Sequence, residues 1–365
     1  MKEAFLALVR LGIGKDATIQ LPNPINWDEV EALTERHGLL GVIVDGVQKL
    51  PENQRPPQLI WLRWVGKVVQ NEAQYAAQQK ASTELALMFH NNGIRTYVLK
   101  GAIVAECYPK PSCRLSADFD CFLVDDGSAG SPRENGNENN VWEIGNQVIE
   151  NAGFEVKRNF YKNSTFLLPG LTVENHRFLT PFRGNKTLRK LEQYLQSAIR
   201  SHKPQPSDFF HQTSLCRPPV MVSALFLIEH AYSHFLHEGL NGRYVLDWMM
   251  FSRKHKADID WPVFDALVDE FGFRKFYDSY FKLGKYLLGE LAESELTDLD
   301  KKMLADIWAE KKKHKSDSGF KGKMGLATNT WNVRWKYHDF SPISMPHALW
   351  IQVKGYLFEK NPKLS

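Results

Sequence analysis

Hydrophobic residues recur at helical spacing over most of the chain, and this pattern is interrupted only near the middle. Residues 27–37 and 61–92 combine that spacing with few helix-breaking residues, which favours α-helices. Gly93 is the expected end of the second helix. Helical patterns return from about residue 183 and are strongest between residues 218 and 288. Both ends of the chain are therefore predicted to be helical.

The middle of the chain carries short runs of β-branched and aromatic residues, which are typical of buried strands. Strands are predicted over residues 96–99, 115–124, 154–158, 164–168 and 171–178, with helices over 102–107 and 141–151 and a tight turn at Pro169–Gly170. The pattern indicates an α+β fold, in which a small mixed-sheet core is flanked by helical regions. The predicted segments are 1–88 (helical), 89–182 (the α/β core), 183–300 (helical) and 301–365 (a basic C-terminal segment).

Composition and charge narrow the class of protein only slightly. The chain has 365 residues, 43% of them hydrophobic, and a net charge of +4, which is ordinary for a globular protein. Residues 301–365 hold thirteen Lys and Arg against five Asp and Glu, so the charge is uneven. This segment is either a solvated face or an anion-binding surface. No apolar run reaches the length of a membrane span or a signal peptide, and a cytoplasmic protein without membrane contact is expected.

Two carboxylates lie two residues apart in the predicted strand over 115–124. Side chains alternate along a strand, so Asp118 and Asp120 should point to the same side while their neighbours supply the core. Glu174, in a neighbouring predicted strand, is the expected third carboxylate. Such a set suits Mg²⁺ or Mn²⁺, hard cations that bind carboxylate and phosphate oxygens. A bare Asp-x-Asp is a weak signal, and a solvated strand edge is the alternative.

A Lys-Gly pair follows the strand over 96–99 and precedes a predicted short helix. Gly101 would let the backbone approach a phosphate, and Lys100 would add a positive charge. Arg114 either binds a phosphate or pairs with the acidic strand end. A plain strand-to-helix turn is the alternative for the Lys-Gly pair. Neither G-x-G-x-x-G nor G-x-x-x-x-G-K-[ST] occurs, so Rossmann and P-loop interpretations lack support.

At these positions the sequence resembles the uncharacterised nucleotidyltransferase family of bacterial proteins, within the DNA polymerase β-like nucleotidyltransferase superfamily. The resemblance rests on the stretch YVLKGAIVAECYPKPSCRLSADFDCFLV. The residues that fill the signature in order are Lys100, Gly101, Tyr108, Pro109, Arg114, Asp118 and Asp120. Better-known members of the superfamily have Gly-Ser where this chain has Lys-Gly, so a serine hydroxyl cannot position the nucleotide there.

Two later stretches, together with the early stretch NWDEVEALTERHGLLGVI, extend the resemblance to about residues 6–256. LTVENHRFL is similar to the family's later strand and contributes Glu174 and His176. HAYSHFLHEGLNGRYVLDW is similar to its helical segment, and the matching residues there are His230, His234, Arg243 and Asp247. His230 and His234 could be zinc ligands, structural residues bonded to Asp247, or cleft residues. His176, His234, Arg243 and Asp247 are the candidates for lining a substrate cleft.

The resemblance implies transfer of a nucleoside monophosphate from a nucleoside triphosphate (NTP) to an acceptor, a small molecule, protein or RNA that the sequence does not identify. It assigns Asp118, Asp120 and Glu174 to catalysis and metal binding, and Lys100, Gly101 and Arg114 to phosphate binding. One alternative is a non-catalytic nucleotide-binding or protein-interaction module, antitoxin-like, that retains the fold. Another is an RNA-modifying transferase that uses the basic C-terminal segment. The sequence does not indicate the oligomeric state.

Overall fold

The computed structural model describes most of the chain. The residues it leaves out are 17–18, 20, 23, 128–140, 183, 209, 211–212, 311–332 and 359–365, together with the side chains of 206 and 352–358. The sequence of residues 125–140 is polar and nearly without large apolar side chains, which predicts a mobile surface loop. Residues 128–140 of that loop and much of the basic segment over 301–365 lie outside the described residues.

Helices dominate both ends of the described chain, as predicted, and further helices connect the strands in its middle. They are α1 (Lys2–Gly12), α2 (Trp27–His37), α3 (Leu40–Gln48), α4 (Gln58–His90), α5 (Gly101–Ala105), α6 (Val141–Asn151), α7 (Lys186–Ser201), α8 (Val220–His237), α9 (Gly242–Lys254), α10 (Trp261–Glu270), α11 (Arg274–Leu287), α12 (Asp298–Trp308), α13 (Arg334–Phe340) and α14 (Met345–Phe358). In the described residues, none of these helices is both long and apolar enough to cross a bilayer.

Six strands form one mixed sheet in the middle of the chain. They are β1 (Ile94–Val98), β2 (Phe119–Asp125), β3 (Lys157–Arg158), β4 (Asn163–Leu168), β5 (Leu171–His176) and β6 (Leu215–Cys216). Their order across the sheet is β3-β4-β5-β2-β1-β6. β2 runs antiparallel to β1 and parallel to β5. This mixed sheet between helical regions confirms the predicted fold class.

The boundaries of β1, β4 and β5 differ from the prediction by one or two residues, β6 was not predicted, and two strands differ by more. β2 begins at Phe119, so Asp118 lies in the bend before the strand and not within it. The strand predicted over 154–158 shrinks to Lys157–Arg158, because the backbone after Gly153 pairs with β4 only at those two residues. Each side chain on β2 and β5 nonetheless follows the expected alternation between the two faces of the sheet.

One face of the sheet is packed by helices. Phe119, Cys121 and Leu123 of β2 point to this face and are buried. A Cβ on Gly145 of α6 would overlap the Leu123 side chain and meet Phe89 of α4 at 3.5 Å. The absence of a side chain at Gly145 therefore lets α6 lie directly against β2.

The chain forms two compact units. The first comprises Met1–Trp61 and Leu227–Lys354, and the second comprises Leu62–Phe226 and Gly355–Ser365. The second unit holds the sheet with α5, α6 and α7. The four segments predicted from the sequence remain a prediction. Cys107, Cys113, Cys121 and Cys216 are all free thiols and all buried, and such cysteines act as small apolar core groups.

The close approach at Gly145 gives a prediction for stability. Gly145→Ala should lower the free energy of unfolding by about 1–3 kcal/mol, because the added methyl group displaces Leu123 from a packed core. Gly66→Ala is the matched control, since Gly66 is an exposed residue of α4 and a Cβ there meets no atom within 4 Å. The control should gain about 0.5–1 kcal/mol from the higher helix propensity of alanine. Urea unfolding of both variants tests this, and a stabilised Gly145→Ala would contradict it.

Candidate active site

Parallel pairing of β2 with β5 brings two of the predicted carboxylates together. Asp120 is the register partner of Glu174, and Phe122 is the partner of His176. Side chains two residues apart on a strand share a face, so Asp120, Glu174 and His176 all project from the same face of the sheet. This face is opposite to the one that carries Phe119 and Cys121.

Asp120 is a buried carboxylate held between two basic groups. Its side chain is 3% exposed, and Oδ1 lies 2.7 Å from Lys100 Nζ and 2.7 Å from His176 Nε2. Burial alone would raise the pKa of Asp120, but the Lys100 charge and the His176 hydrogen bond outweigh burial and hold this pKa well below its ordinary value. Asp120 is therefore ionised throughout the physiological pH range.

His176 has a second hydrogen bond that defines its chemistry. Its Nδ1 lies 3.2 Å from the carbonyl oxygen of Phe178, and a carbonyl can only accept, so Nδ1 carries a proton. Nε2 then has two states. When protonated it donates to Asp120, and when unprotonated it offers a lone pair in the arrangement common to metal-bound histidines. Burial lowers the pKa of His176, yet hydrogen bonds to Asp120 and Glu174 raise it above the ordinary value on balance.

Glu174 lies at the more open side of the same cluster. Its Oε2 is 3.6 Å from His176 Nε2 and 3.4 Å from Lys162 Nζ, and its side chain is 21% exposed. The nearby His176 ring lowers the pKa of Glu174, burial opposes this, and the charge of Lys162 adds to the lowering. Glu174 is thus a second ionised carboxylate beside Asp120.

Asp118 differs from the other two carboxylates. It is half-buried in the bend before β2. Burial raises its pKa, the charge of Asp120 raises it further, and Lys100 only partly opposes these effects. A cation bound near Asp118 would reverse this repulsion, which is the expected behaviour of a carboxylate at a metal site.

The turn that presents Lys100 is strained. Among the described residues Lys100 is the one non-glycine with a positive φ, at φ 45° and ψ −108°. Such a conformation in a residue with a Cβ costs about 1–3 kcal/mol and persists only where the surroundings fix it. Its buried ammonium bonded to Asp120 provides that constraint. The strain and the ion pair together direct the lysine into the carboxylate cluster.

Gly101 and Arg114 meet beside this turn. A Cβ on residue 101 would overlap the Ser116 hydroxyl and lie 3.0 Å from Nη1 of Arg114. Only glycine therefore fits between α5 and the segment leading into β2. The Arg114 guanidinium thus lies directly beside the backbone of Gly101, and the assignment of these residues to phosphate binding stays a prediction.

Sequence reasoning missed one supporting residue, Glu192 of α7. This buried carboxyl accepts hydrogen bonds from Leu179 N (3.0 Å), Thr180 N (2.7 Å), Thr180 Oγ1 (3.0 Å) and Gln196 Nε2 (2.6 Å). It thereby fixes the backbone directly after Phe178, whose carbonyl orients His176. A lone Glu on an amphipathic helix gives no sequence signal for such a role, because only the tertiary fold brings it to the loop.

The potential metal ligands differ in part from those predicted. In the part of the chain that the structure describes, one group of three or more His, Cys, Asp or Glu residues has ligand atoms within 4.8 Å of one another: Asp120, Glu174 and His176. The predicted set was Asp118, Asp120 and Glu174. The fold thus brings Asp120 and Glu174 together, adds His176, and leaves Asp118 at the edge. Two carboxylates and an imidazole fit a divalent cation such as Mn²⁺, whereas Mg²⁺ prefers oxygen ligands alone.

The other predicted cleft residues belong to the first compact unit. His234 lies on α8, where its Nδ1 is 3.1 Å from Glu238 Oε2 and its ring is 4.5 Å from that of His230. Asp247 on α9 is buried, and the Arg243 guanidinium lies against Gly38. Within the described residues, the group of potential metal ligands does not include His230 or His234. Their place in a cleft stays a prediction.

Ionised carboxylates on adjacent parallel strands, beside a strand–Lys–Gly–helix turn, define a candidate site for metal-dependent phosphoryl or nucleotidyl transfer. Residues 23–289 match the model of a family described as "Uncharacterised nucleotidyltransferase". The match spans more than half of the chain, so the protein belongs to that family, which confirms the family predicted from the sequence. Its place in the DNA polymerase β-like superfamily stays a prediction. No curated protein and no solved structure matched the chain.

The buried ion pair leads to a prediction for Lys100. Lys100→Met keeps the length of the side chain but removes one of the two basic partners of Asp120. The free energy of unfolding should fall by about 3–5 kcal/mol, the usual cost of leaving a buried charge without its partner. Lys162→Met is the matched control, because its pair with Glu174 is more exposed and contributes at most about 1 kcal/mol. Equal losses in the two variants, measured by urea unfolding, would contradict the account.

His176 should make stability depend on pH. Its pKa in the folded protein is raised above the ordinary histidine value of about 6.5. The folded chain therefore keeps a proton that the unfolded chain has released, so the stabilisation is complete below about pH 6.5 and is lost as pH rises through the folded-state pKa. The stability difference between wild type and His176→Gln should thus be largest below about pH 6.5 and should shrink as the pH rises above that value. A difference independent of pH would contradict this, because folding would then leave the pKa of His176 unchanged, and a difference that grows with pH would show that the ring is neutral in the folded state.

Proposed function

We propose that the protein is a metal-dependent nucleotidyltransferase, which moves a nucleoside monophosphate from an NTP to an acceptor and releases pyrophosphate. The observation that supports this most is the pairing of Asp120 with Glu174 on adjacent parallel strands, with Asp118 at the same end of β2. Family membership supports the same reaction class. A fold alone would be a weak argument, so the proposal depends on these side chains.

The proposal assigns Asp118, Asp120 and Glu174 to the binding of two Mg²⁺ or Mn²⁺ ions, with His176 as a further ligand or as the group that holds Asp120. Bound cations would polarise the reacting phosphate and neutralise the charge that develops on pyrophosphate. The protein itself supplies a rigid, ionised Asp120 whose position is fixed by Lys100 and His176. A preorganised carboxylate of this kind needs no rearrangement of its own during the reaction.

Lys100, Gly101 and Arg114 are assigned to the phosphates of the NTP. Gly101 leaves room beside the backbone, and the Arg114 guanidinium can bind two phosphate oxygens at once. Lys100 directly precedes Gly101, and its ammonium is paired with Asp120. Its positive charge would therefore be available to a phosphate oxygen bound at the carboxylate cluster.

One observation favours a second candidate, a non-catalytic module that retains the fold. The charge of Asp120 is already compensated by Lys100 and His176, and the carboxylate is 3% exposed. A site of this kind can be stable in a protein that never binds a cation. Such a protein would bind nucleotide without turnover, or would not bind it.

Transfer of label from α-labelled ATP, CTP, GTP and UTP tests the proposal. Each NTP is offered with Mg²⁺ or Mn²⁺ and with a mixture of small-molecule, protein and RNA acceptors. Metal-dependent transfer by the wild type is expected, and the Asp118→Ala/Asp120→Ala double variant and Glu174→Gln should lose it because their metal ligands are missing. Glu155→Gln is the control, since Glu155 is an exposed acid before β3.

The outcomes separate the two candidates. Transfer that needs metal and disappears in the Asp118→Ala/Asp120→Ala variant would establish the enzyme and identify its nucleotide. NTP binding that depends on metal but leads to no transfer would favour the non-catalytic module. Absence of binding by wild type and variants alike would contradict nucleotidyl transfer as the function.

A further inference from the structure

A cavity of about 530 Å³ lies in the second compact unit, between the middle of α4, α5 and the edge of the sheet. Its inner wall includes Val98 of β1, Phe119 of β2 and Leu171 of β5. Phe119 and Leu171 lie on the face of the sheet opposite to Asp120 and Glu174, so the cavity is separated from the buried ion cluster by the sheet itself. Asp118, in the bend at the sheet edge, also lines the cavity.

The cavity thus touches the candidate active site at one point. Asp120 and His176 are 3% and 1% exposed, and neither lines the cavity. Asp118, Gly101 and Arg114 do line it. A molecule in this cavity would therefore approach the carboxylates through Asp118 and would pass the proposed phosphate-binding residues on the way.

The lining chemistry indicates what kind of group fits. Among the described lining residues the charged ones are balanced, with Lys80 and Arg114 against Glu84 and Asp118. A triphosphate would need an excess of positive charge, which this lining lacks. The remaining surface offers aromatic rings and uncharged polar groups, contributed by Tyr75, Phe119, Phe210, Gln78, Ser82 and Thr83. An uncharged, flat group with hydrogen-bonding edges matches this combination.

The residues assigned to the phosphates favour the nucleoside of the NTP as the occupant of this cavity. Gly101 and Arg114, which are assigned to the phosphates of the NTP, both line the cavity. The nucleoside is covalently attached to those phosphates, so it must lie within a few bonds of the residues that bind them. A cavity of neutral, partly aromatic lining directly beside the phosphate-binding residues therefore suits the nucleoside.

We propose that this cavity binds the nucleoside of the donor NTP. The base packs against the aromatic and aliphatic wall, and the amides and hydroxyls of α4 face its polar edge. The volume lies within the range of about 300–1,000 Å³ that is usual for small-molecule sites. The inference rests on the proposed function, because it uses Gly101, Arg114 and Asp118 in the roles given above.

Calorimetric titration of the full chain with Mg²⁺ complexes of ATP, CTP, GTP and UTP, and with tripolyphosphate as a probe without a nucleoside, tests the cavity. Ala102→Phe and Ala76→Phe each place a ring at a residue that lines it, whereas Ala73→Phe is the matched control on an exposed position of α4 that does not. Thermal melts confirm that each variant is folded. The rim position of Ala76 preserves the test if Ala102→Phe fails to fold.

The wild type should bind at least one NTP about tenfold or more tightly than tripolyphosphate. Both cavity variants should lose most of this advantage, while their affinity for tripolyphosphate changes by less than about twofold and Ala73→Phe behaves like the wild type. Undiminished NTP affinity in the folded cavity variants would overturn the assignment. A parallel loss of NTP and tripolyphosphate would overturn it too, because the cavity would then serve the phosphates. A wild type that binds neither probe would contradict the proposed function itself.

Discussion

The site depends on one buried negative charge, that of Asp120. A carboxylate removed from water is costly unless it is matched by opposite charge and hydrogen bonds. Here a single oxygen, Oδ1, receives both the Lys100 ammonium and the His176 ring at 2.7 Å. The strained turn at Lys100 positions the ammonium, and the loop after β5 orients the His176 ring through the carbonyl of Phe178. The second oxygen of Asp120 and the neighbouring carboxylates Asp118 and Glu174 are the groups that we propose bind the metal ions.

The two partners of Asp120 are themselves held in place by further contacts. His176 is oriented by the carbonyl of Phe178, and the backbone after Phe178 is fixed by the buried Glu192. On the other side, Lys100 is held by a backbone conformation that non-glycine residues rarely adopt. Such supporting groups commonly set the orientation and basicity of the residues that bind a metal. The cavity beside Asp118 is not lined by Asp120, Lys100 or His176. A molecule bound in it would therefore leave the contacts among these three residues in place.

The sequence was sufficient to predict the helical ends and the mixed sheet, because these follow from local periodicity and strand alternation. It also indicated that Glu174 lies in a strand near that of Asp120, but the parallel register that pairs the two residues is a property of the tertiary fold. The sequence placed Asp118 inside a predicted strand, whereas β2 begins at Phe119 and Asp118 lies in the bend before it. It could not assign Glu192 or the partners of His176, since these contacts join residues that are distant in sequence. The backbone conformation of Lys100 could not be predicted either, because no local sequence pattern distinguishes a strained turn from an ordinary one. The roles of His234, Arg243 and Asp247 stay predictions.

The most direct test of the central claim, that Asp120 is the centre of a metal-dependent nucleotide site, is anomalous diffraction at the manganese edge from crystals grown with Mn²⁺ and a non-hydrolysable NTP. The account predicts a manganese peak at bonding distance from carboxylate oxygens of Asp120 and Glu174, with the triphosphate beside Gly101 and Arg114. Nucleotide density without manganese at Asp120, or manganese bound elsewhere while Lys100 and His176 remain the partners of Asp120, would contradict it.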